Sequence, residues 1–209
     1  MSLLTVSSHP VVFDKLARLR DQSTGPDEFR RLMRGLSTLL GAEATSDLRC
    51  EDIQVETPLT TATGQRLANK IGLVPVLRAG LGMVDGLLEF LPESEVWHLG
   101  YYRDEQTLTP VSYYQKLPPQ RPIETVLLLD PMLATGGSAI AAIDTLKQWG
   151  SERIKFLGII GSPEGAKALH TAHPDVDIHL CSLDDCLNEQ GFILPGLGDA
   201  GDRLFNTPA

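Results

Sequence analysis

Cysteine is scarce in this 209-residue chain: Cys50, Cys181 and Cys186 are three in number, too few and too odd for a disulfide framework. Reduced thiols in a cytosol are expected. The spacing Cys181-x4-Cys186 has no second half within sequence reach, so structural thiols are favoured over a metal site. No apolar run is long enough to span a bilayer. The opening residues lack the basic n-region and long apolar core of a secretory signal, which again points to a cytoplasmic protein. Positive charge is not in excess either. Eighteen basic residues stand against 27 acidic ones, and a net charge of −9 disfavours nucleic-acid binding. Internal repeats, low-complexity runs and long linkers are absent. With 42% hydrophobic residues, the chain therefore reads as a single domain with a full core. Two familiar phosphate signatures are also missing: no Gly-x-x-x-x-Gly-Lys-Ser/Thr and no Gly-x-Gly-x-x-Gly after a strand.

Residues 124–139 carry the strongest positive signal. An apolar run, Val126 to Leu129, ends in Asp130, and a short loop closes on Thr135-Gly136-Gly137-Ser138. Apolar residues at helical spacing follow from Ala139 to Trp149. A helix N-terminus has unpaired N–H groups and partial positive charge, so this strand–loop–helix suits a phosphate. Glycine allows close approach of the main chain, while Thr135 and Ser138 add hydroxyl donors. Asp130 would accept hydrogen bonds from ribose hydroxyls. Together they point to a ribose-5-phosphate site.

Around this motif the chain alternates strand and helix. A strand from Lys70 to Val76 leads into Leu77-Arg78-Ala79-Gly80 and a helix from Leu81 to Leu91. Further strands are expected at 95–101, 153–161 and 176–181, with a helix at 164–172. Residues 103–116 read as an exposed hairpin. Two helices, 11–22 with Val12, Leu16 and Leu19 on one face, and 27 toward 48, precede this pattern as an N-terminal arm packing on the core or on another subunit. Alternation implies an α/β fold with a parallel sheet covered by helices on both faces, and ligands at the carboxyl ends of its strands. Arg78 and Asp130 fall at those ends. The glycine-rich stretch from Asn188 to Asp202 is expected to be an ordered loop that folds back. His170 and His173 are expected to face solvent.

Asp130-Pro131-Met132-Leu133-Ala134-Thr135-Gly136-Gly137-Ser138 resembles the phosphoribosyl-diphosphate motif of the type I phosphoribosyltransferases, in the form found in uracil phosphoribosyltransferases. Pro131 stands where the wider family has a second acid. Pro75 to Met83 resembles the diphosphate loop, Tyr102-Arg103-Asp104-Glu105 the hairpin arginine, and Gly191 to Asp202 the uracil-binding hood. The resemblance covers almost the whole chain. It implies one domain over 1–209, with a helical arm at 1–60, an α/β core at 61–182 carrying a hairpin at 102–117, and a hood at 183–209.

The implied activity is transfer of phosphoribose from 5-phosphoribosyl 1-diphosphate to uracil, giving UMP. By the resemblance, Asp130 holds the ribose hydroxyls and Pro131, Met132, Leu133, Ala134, Thr135, Gly136, Gly137 and Ser138 form the 5-phosphate site. Arg78 and Arg103 contact the diphosphate, Ile193, Gly198, Asp199 and Ala200 read uracil, and Asp199 also faces the phosphoribosyl diphosphate. Magnesium is implied as a cofactor held mainly by the substrate's diphosphate. The apolar N-terminal arm suggests self-association, as a homodimer or homotetramer, with no nucleic-acid or membrane partner; some relatives are activated by GTP, for which no site is legible. Phe192, where many relatives have tyrosine, is left out of the polar site. No histidine or glutamate is placed to take the uracil N1 proton, so no general acid or base is assigned. A cis peptide is expected near Arg78 to Ala79. The competing readings are a phosphoribosyltransferase for another base, an RNA-binding regulator on the same fold, and a non-catalytic nucleotide sensor.

Overall fold

The computed structural model describes residues 4–103, 110–118 and 123–208. Its frame is a mainly parallel sheet. The strands are β1 (Leu4–Val6), β4 (Ile71–Leu77), β5 (Glu95–Val96), β6 (Leu99–Arg103), β7 (Pro110–Gln115), β8 (Thr125–Leu129), β9 (Met132–Leu133), β10 (Arg153–Gly161) and β11 (Asp177–Leu183). The order is β1-β11-β10-β8-β4-β6-β7, with β5 on β4 and β9 on β10. Every pairing is parallel except β6 with β7.

The continuous apolar runs follow from burial on both faces. Side chains alternate along a strand, so Leu127 and Leu129 of β8 enter one core while Val126 and Leu128 enter the other. The first core is closed by α1 (Pro10–Arg20), α2 (Pro26–Ala44), α3 (Leu81–Phe90) and α6 (Ala200–Phe205). The second is closed by α4 (Gly137–Trp149) and α5 (Pro163–Ala172). Val12, Leu16 and Leu19 are buried on the face of α1 that their spacing marks.

Several expectations need correction. The strand expected at 95–101 is two short pieces, β5 and β6. The first sixty residues are not a purely helical arm. After α2 the chain forms an antiparallel hairpin, β2 (Cys50–Glu56) with β3 (Thr61–Leu67), separate from the main sheet. The helix α2 itself takes the first of the two placements expected for the arm, packing on the core through Phe29, Leu32, Met33, Leu36 and Leu40. The tail is more structured than a loop: β12 (Cys186–Leu187) pairs with β13 (Ile193–Leu194), and α6 follows. His170 is exposed, but His173 is buried beneath α4. Its Nδ1 lies 3.2 Å from Lys147 Nζ and its Nε2 3.4 Å from Asp144 Oδ1.

Candidate active site

The site is assembled at the carboxyl edge of the sheet, where parallel topology puts loop openings side by side. Pro75 of β4 pairs with Leu129 of β8, so the loops carrying Arg78 and Asp130 leave adjacent strands. The Leu77–Arg78 peptide is cis, one bond before the position expected.

Beyond Asp130 the chain does not leave the sheet at once. Pro131 O accepts from the N–H groups of Ile159 and Ile160, and Met132 and Leu133 pair with Ile160 and Gly161 as β9. Pro131 and Leu133 are buried and anchor the loop, while Thr135 is exposed and Ala134, Gly137 and Ser138 are partly so. Asp130 and residues 132–139 line a small cavity of about 80 Å³. Gly136 ends the loop at φ 84°, a left-handed conformation that glycine adopts without steric cost, and no side chain caps α4. The first-turn amides of α4 have no acceptor within the helix and are free to meet an anion.

Two residues that sequence reasoning missed hold this loop from below. Ser162, fully buried, donates from Oγ to Ala134 O at 2.6 Å and accepts from Gly165 N at 2.9 Å. Gly165 lies so close to the loop that a Cβ there would sit 2.2 Å from Ala134 O. Ser162-Pro163 is a legible helix start. Nothing local shows that this helix start supports a loop nearly thirty residues earlier.

Asp130 is partly buried, and Met132 N donates to its Oδ1 at 3.2 Å. Burial disfavours the charged carboxylate more than this bond supports it, and pushes the carboxyl up to about 7. A displaced pKa in a cleft is a mark of function.

Arg78 extends toward the hood, where Nη2 donates to Asp202 Oδ1 at 3.3 Å. Thr207 Oγ1 donates to the same oxygen at 2.6 Å, which fixes the carboxylate. Asp202 is a further residue that sequence reasoning missed. Asp199 begins α6, its Oδ1 accepting from Asp202 N at 2.8 Å. This is the ordinary helix-capping role of aspartate, and it brings the hood over Arg78. Ile193 and Ala200 are buried, whereas Gly198 and Asp199 are exposed. Phe192 is about half exposed, and its main chain is bonded to Asn188. Arg103 is the last residue of β6, opposite Pro110, and its side chain lies outside the described set. Asp104 and Glu105 lie outside the described residues.

The structure thus brings Arg78, the Asp130–Ser138 loop and the hood together. Among the described residues no group of three His, Cys, Asp or Glu could hold a metal ion, and no helix is long and apolar enough to cross a membrane.

Comparison with known proteins gives the same picture. The family model described as uracil phosphoribosyltransferase matches residues 6–207. A uracil phosphoribosyltransferase from Roseiflexus sp. (strain RS-1) is 58% identical over 99% of this chain and the whole of that protein. One from Geobacillus kaustophilus is 52% identical over the same shares. The solved structure of the AQ2163 protein from Aquifex aeolicus superimposes with a TM-score of 0.92 at 35% identity, covering 97% of this chain and 98% of that one. A hypoxanthine phosphoribosyltransferase from Staphylococcus aureus, at TM-score 0.52 and 13% identity, shares the fold alone. Matched by that family model over residues 6–207 and at least half identical to the Roseiflexus and Geobacillus proteins over nearly its whole length, the chain belongs to the uracil phosphoribosyltransferase family.

Proposed function

We propose that this protein transfers the 5-phosphoribosyl group from 5-phospho-α-D-ribose 1-diphosphate to uracil, giving UMP and diphosphate in pyrimidine salvage. The observation that carries this reading is the meeting of the phosphate loop, Arg78 and the hood at one sheet edge. Rupture of the bond from ribose C1 to diphosphate builds positive charge on the sugar and negative charge on the leaving group. Fixed opposite charge is the main lever in such a step.

The residues divide the work by position. Main-chain amides at 135–138 and the hydroxyls of Thr135 and Ser138 hold the 5-phosphate. Pro131, Met132 and Leu133 keep that cradle attached to β10, which turns binding energy into placement of the sugar. Asp130 accepts from the ribose hydroxyls as a carboxylate. Because its pKa is raised to about 7 in the free protein, those donors also draw it toward its charged form. Arg78 contacts the departing diphosphate, a role the family resemblance also gives to Arg103.

Ile193 and the main chain of Gly198, Asp199 and Ala200 read the base. Uracil presents an N3 donor beside an O4 acceptor, and cytosine inverts that order. Main-chain groups cannot exchange donor for acceptor, so a mismatched base costs about 10⁴-fold in turnover.

Magnesium would be held mainly by the substrate's own diphosphate, with the exposed Asp199 facing it. When bound, it neutralises charge on the leaving group. We place the protein in the cytoplasm, as its three free thiols support. It is read as a homodimer or homotetramer, a state supported by exposed Val11 and Phe13 on α1.

The test is diphosphate release with uracil, cytosine, hypoxanthine and orotate offered in parallel. Uracil alone should give rapid release; equal turnover of cytosine, or preference for a purine or orotate, overturns the reading.

A further inference from the structure

We propose that Arg20 and Asp184 form a positioning pair that sets affinity for the base, by clamping the Gly196 peptide groups inside the segment that reads uracil. The inference rests on the reading above that residues 193–200 hold the base.

Arg20 is the last residue of α1, and Asp184 follows β11, 164 residues later. The guanidinium makes a two-pronged contact, Nη1 to Oδ2 at 2.6 Å and Nη2 to Oδ1 at 2.5 Å. Such a fork fixes both partners in one geometry. Ser182 Oγ donates to Asp184 Oδ1 at 2.8 Å, completing the carboxylate's bonds.

The pair then grips one residue of the hood at both polar ends. Gly196 N donates to Asp184 Oδ2 at 3.0 Å, and Arg20 Nη1 donates to Gly196 O at 2.7 Å. Gly196 stands at φ 68°, and a Cβ there would lie 2.1 Å from Ile193 O, so the turn admits only glycine. It lies between Ile193 and Gly198, two of the residues assigned to the base. Any shift of this turn moves both together.

Asp184 is only 5% exposed, and burying a carboxylate is costly unless it is paired and bonded. Here the bonds that offset the cost come from Arg20 of α1, Ser182 of β11 and the Gly196 N–H of the hood, so they tie the hood turn to the core. The consequence is preorganisation: the clamp orders the turn before uracil arrives, so binding does not bear that entropy. The ribose and 5-phosphate are held by a different loop, residues 130–138, and Asp199, assigned to the diphosphate, is held separately by capping α6. Loss of the clamp should therefore act on the base and spare the sugar substrate.

The experiment compares wild type with Arg20→Lys, Ser182→Ala and Asp184→Asn in steady-state kinetics. Lysine keeps the charge and loses the fork; alanine removes the two bonds of Ser182 Oγ, one to Asp184 and one from Arg20; asparagine replaces an acceptor with a donor that must oppose Gly196 N–H, Arg20 or Ser182. Arg20→Lys and Asp184→Asn should raise KM for uracil by about tenfold or more. KM for 5-phosphoribosyl 1-diphosphate should stay within about twofold, and the preference for uracil over cytosine should fall. Ser182→Ala should move the same way by less, and carries the test if Asp184→Asn does not fold. Equal rises in both KM values overturn the proposal, as does a lower melting temperature with both constants unchanged. A wild-type protein that releases no diphosphate with uracil removes the functional reading itself, and the clamp with it.

Discussion

Replacing Asp130 with asparagine separates the cost of holding a carboxyl in the site from its use there. In the folded chain burial raises this carboxyl from 3.8 to about 7. As pH rises, the unfolded chain releases the proton first. Between about pH 4 and pH 7 the folded state binds more protons, so this group's contribution to stability falls across that window. It is most favourable below pH 4 and least favourable above pH 7. The difference bounds the loss at about 4 kcal/mol, and water reaching the partly buried carboxyl reduces it to about 1–2 kcal/mol.

Asparagine has no such proton. Urea unfolding of wild type and D130N should nearly coincide at about pH 4 and diverge in favour of the variant by about pH 8. Asp184 and Asp47, whose carboxyls are held below the usual range by Arg20 and Lys155 against the opposing effect of burial, lose stability in the other direction, as pH falls. Only the difference between the two proteins isolates Asp130. The variant should also lose about a hundredfold or more in kcat/KM for the sugar substrate, because an amide cannot supply the carboxylate's charge. A stability gap that stays flat from pH 4 to pH 8 would refute the reasoning.

Other outcomes follow from the support beneath the phosphate loop. Gly165→Ala places a methyl 2.2 Å from Ala134 O and should raise KM for the sugar substrate about tenfold or more, with a smaller effect on uracil; unchanged kinetics in a folded variant would contradict this. Ser162→Ala removes the α5 cap and the bond to Ala134 O, and should cost about 1 kcal/mol or more in urea unfolding; a loss below a few tenths would count against the brace. Burial pushes the Cys181 thiol up to about 12 while Cys50 is exposed, so a thiol reagent at mildly alkaline pH should label Cys50 and leave Cys181 until unfolding. Labelling of Cys181 at the rate of Cys50 would show that its surroundings are open.

Much of the fold could be read because its core strands and helices leave local periodic traces. The run from Val126 to Leu129 is apolar on both faces because both faces are covered, and the α1 stripe at Val12, Leu16 and Leu19 repeats at helical spacing. The hairpin at 50–67 left no such trace. Most of its residues are exposed on both faces, so no alternation distinguishes it from a loop. His173 misled for a related reason: it falls at the end of α5 beside Pro174, with no local sign of burial, and its burial comes from α4, which lies earlier in the chain.

The same division applies to the site. The chain's order of residues by itself determined the strand-end Asp130, the glycines at the start of α4, Arg78 at the end of β4 and a glycine-rich tail, because anion binding at a helix start needs only adjacent residues. Tertiary structure alone decided that Ser162 and Gly165 lie under the phosphate loop, that Asp202 meets Arg78, and that Arg20 reaches Asp184 and Gly196. These partners are far apart in sequence and carry no shared periodicity. Their meeting depends on how parallel strands order themselves in the sheet and on where the covering helices then come to rest.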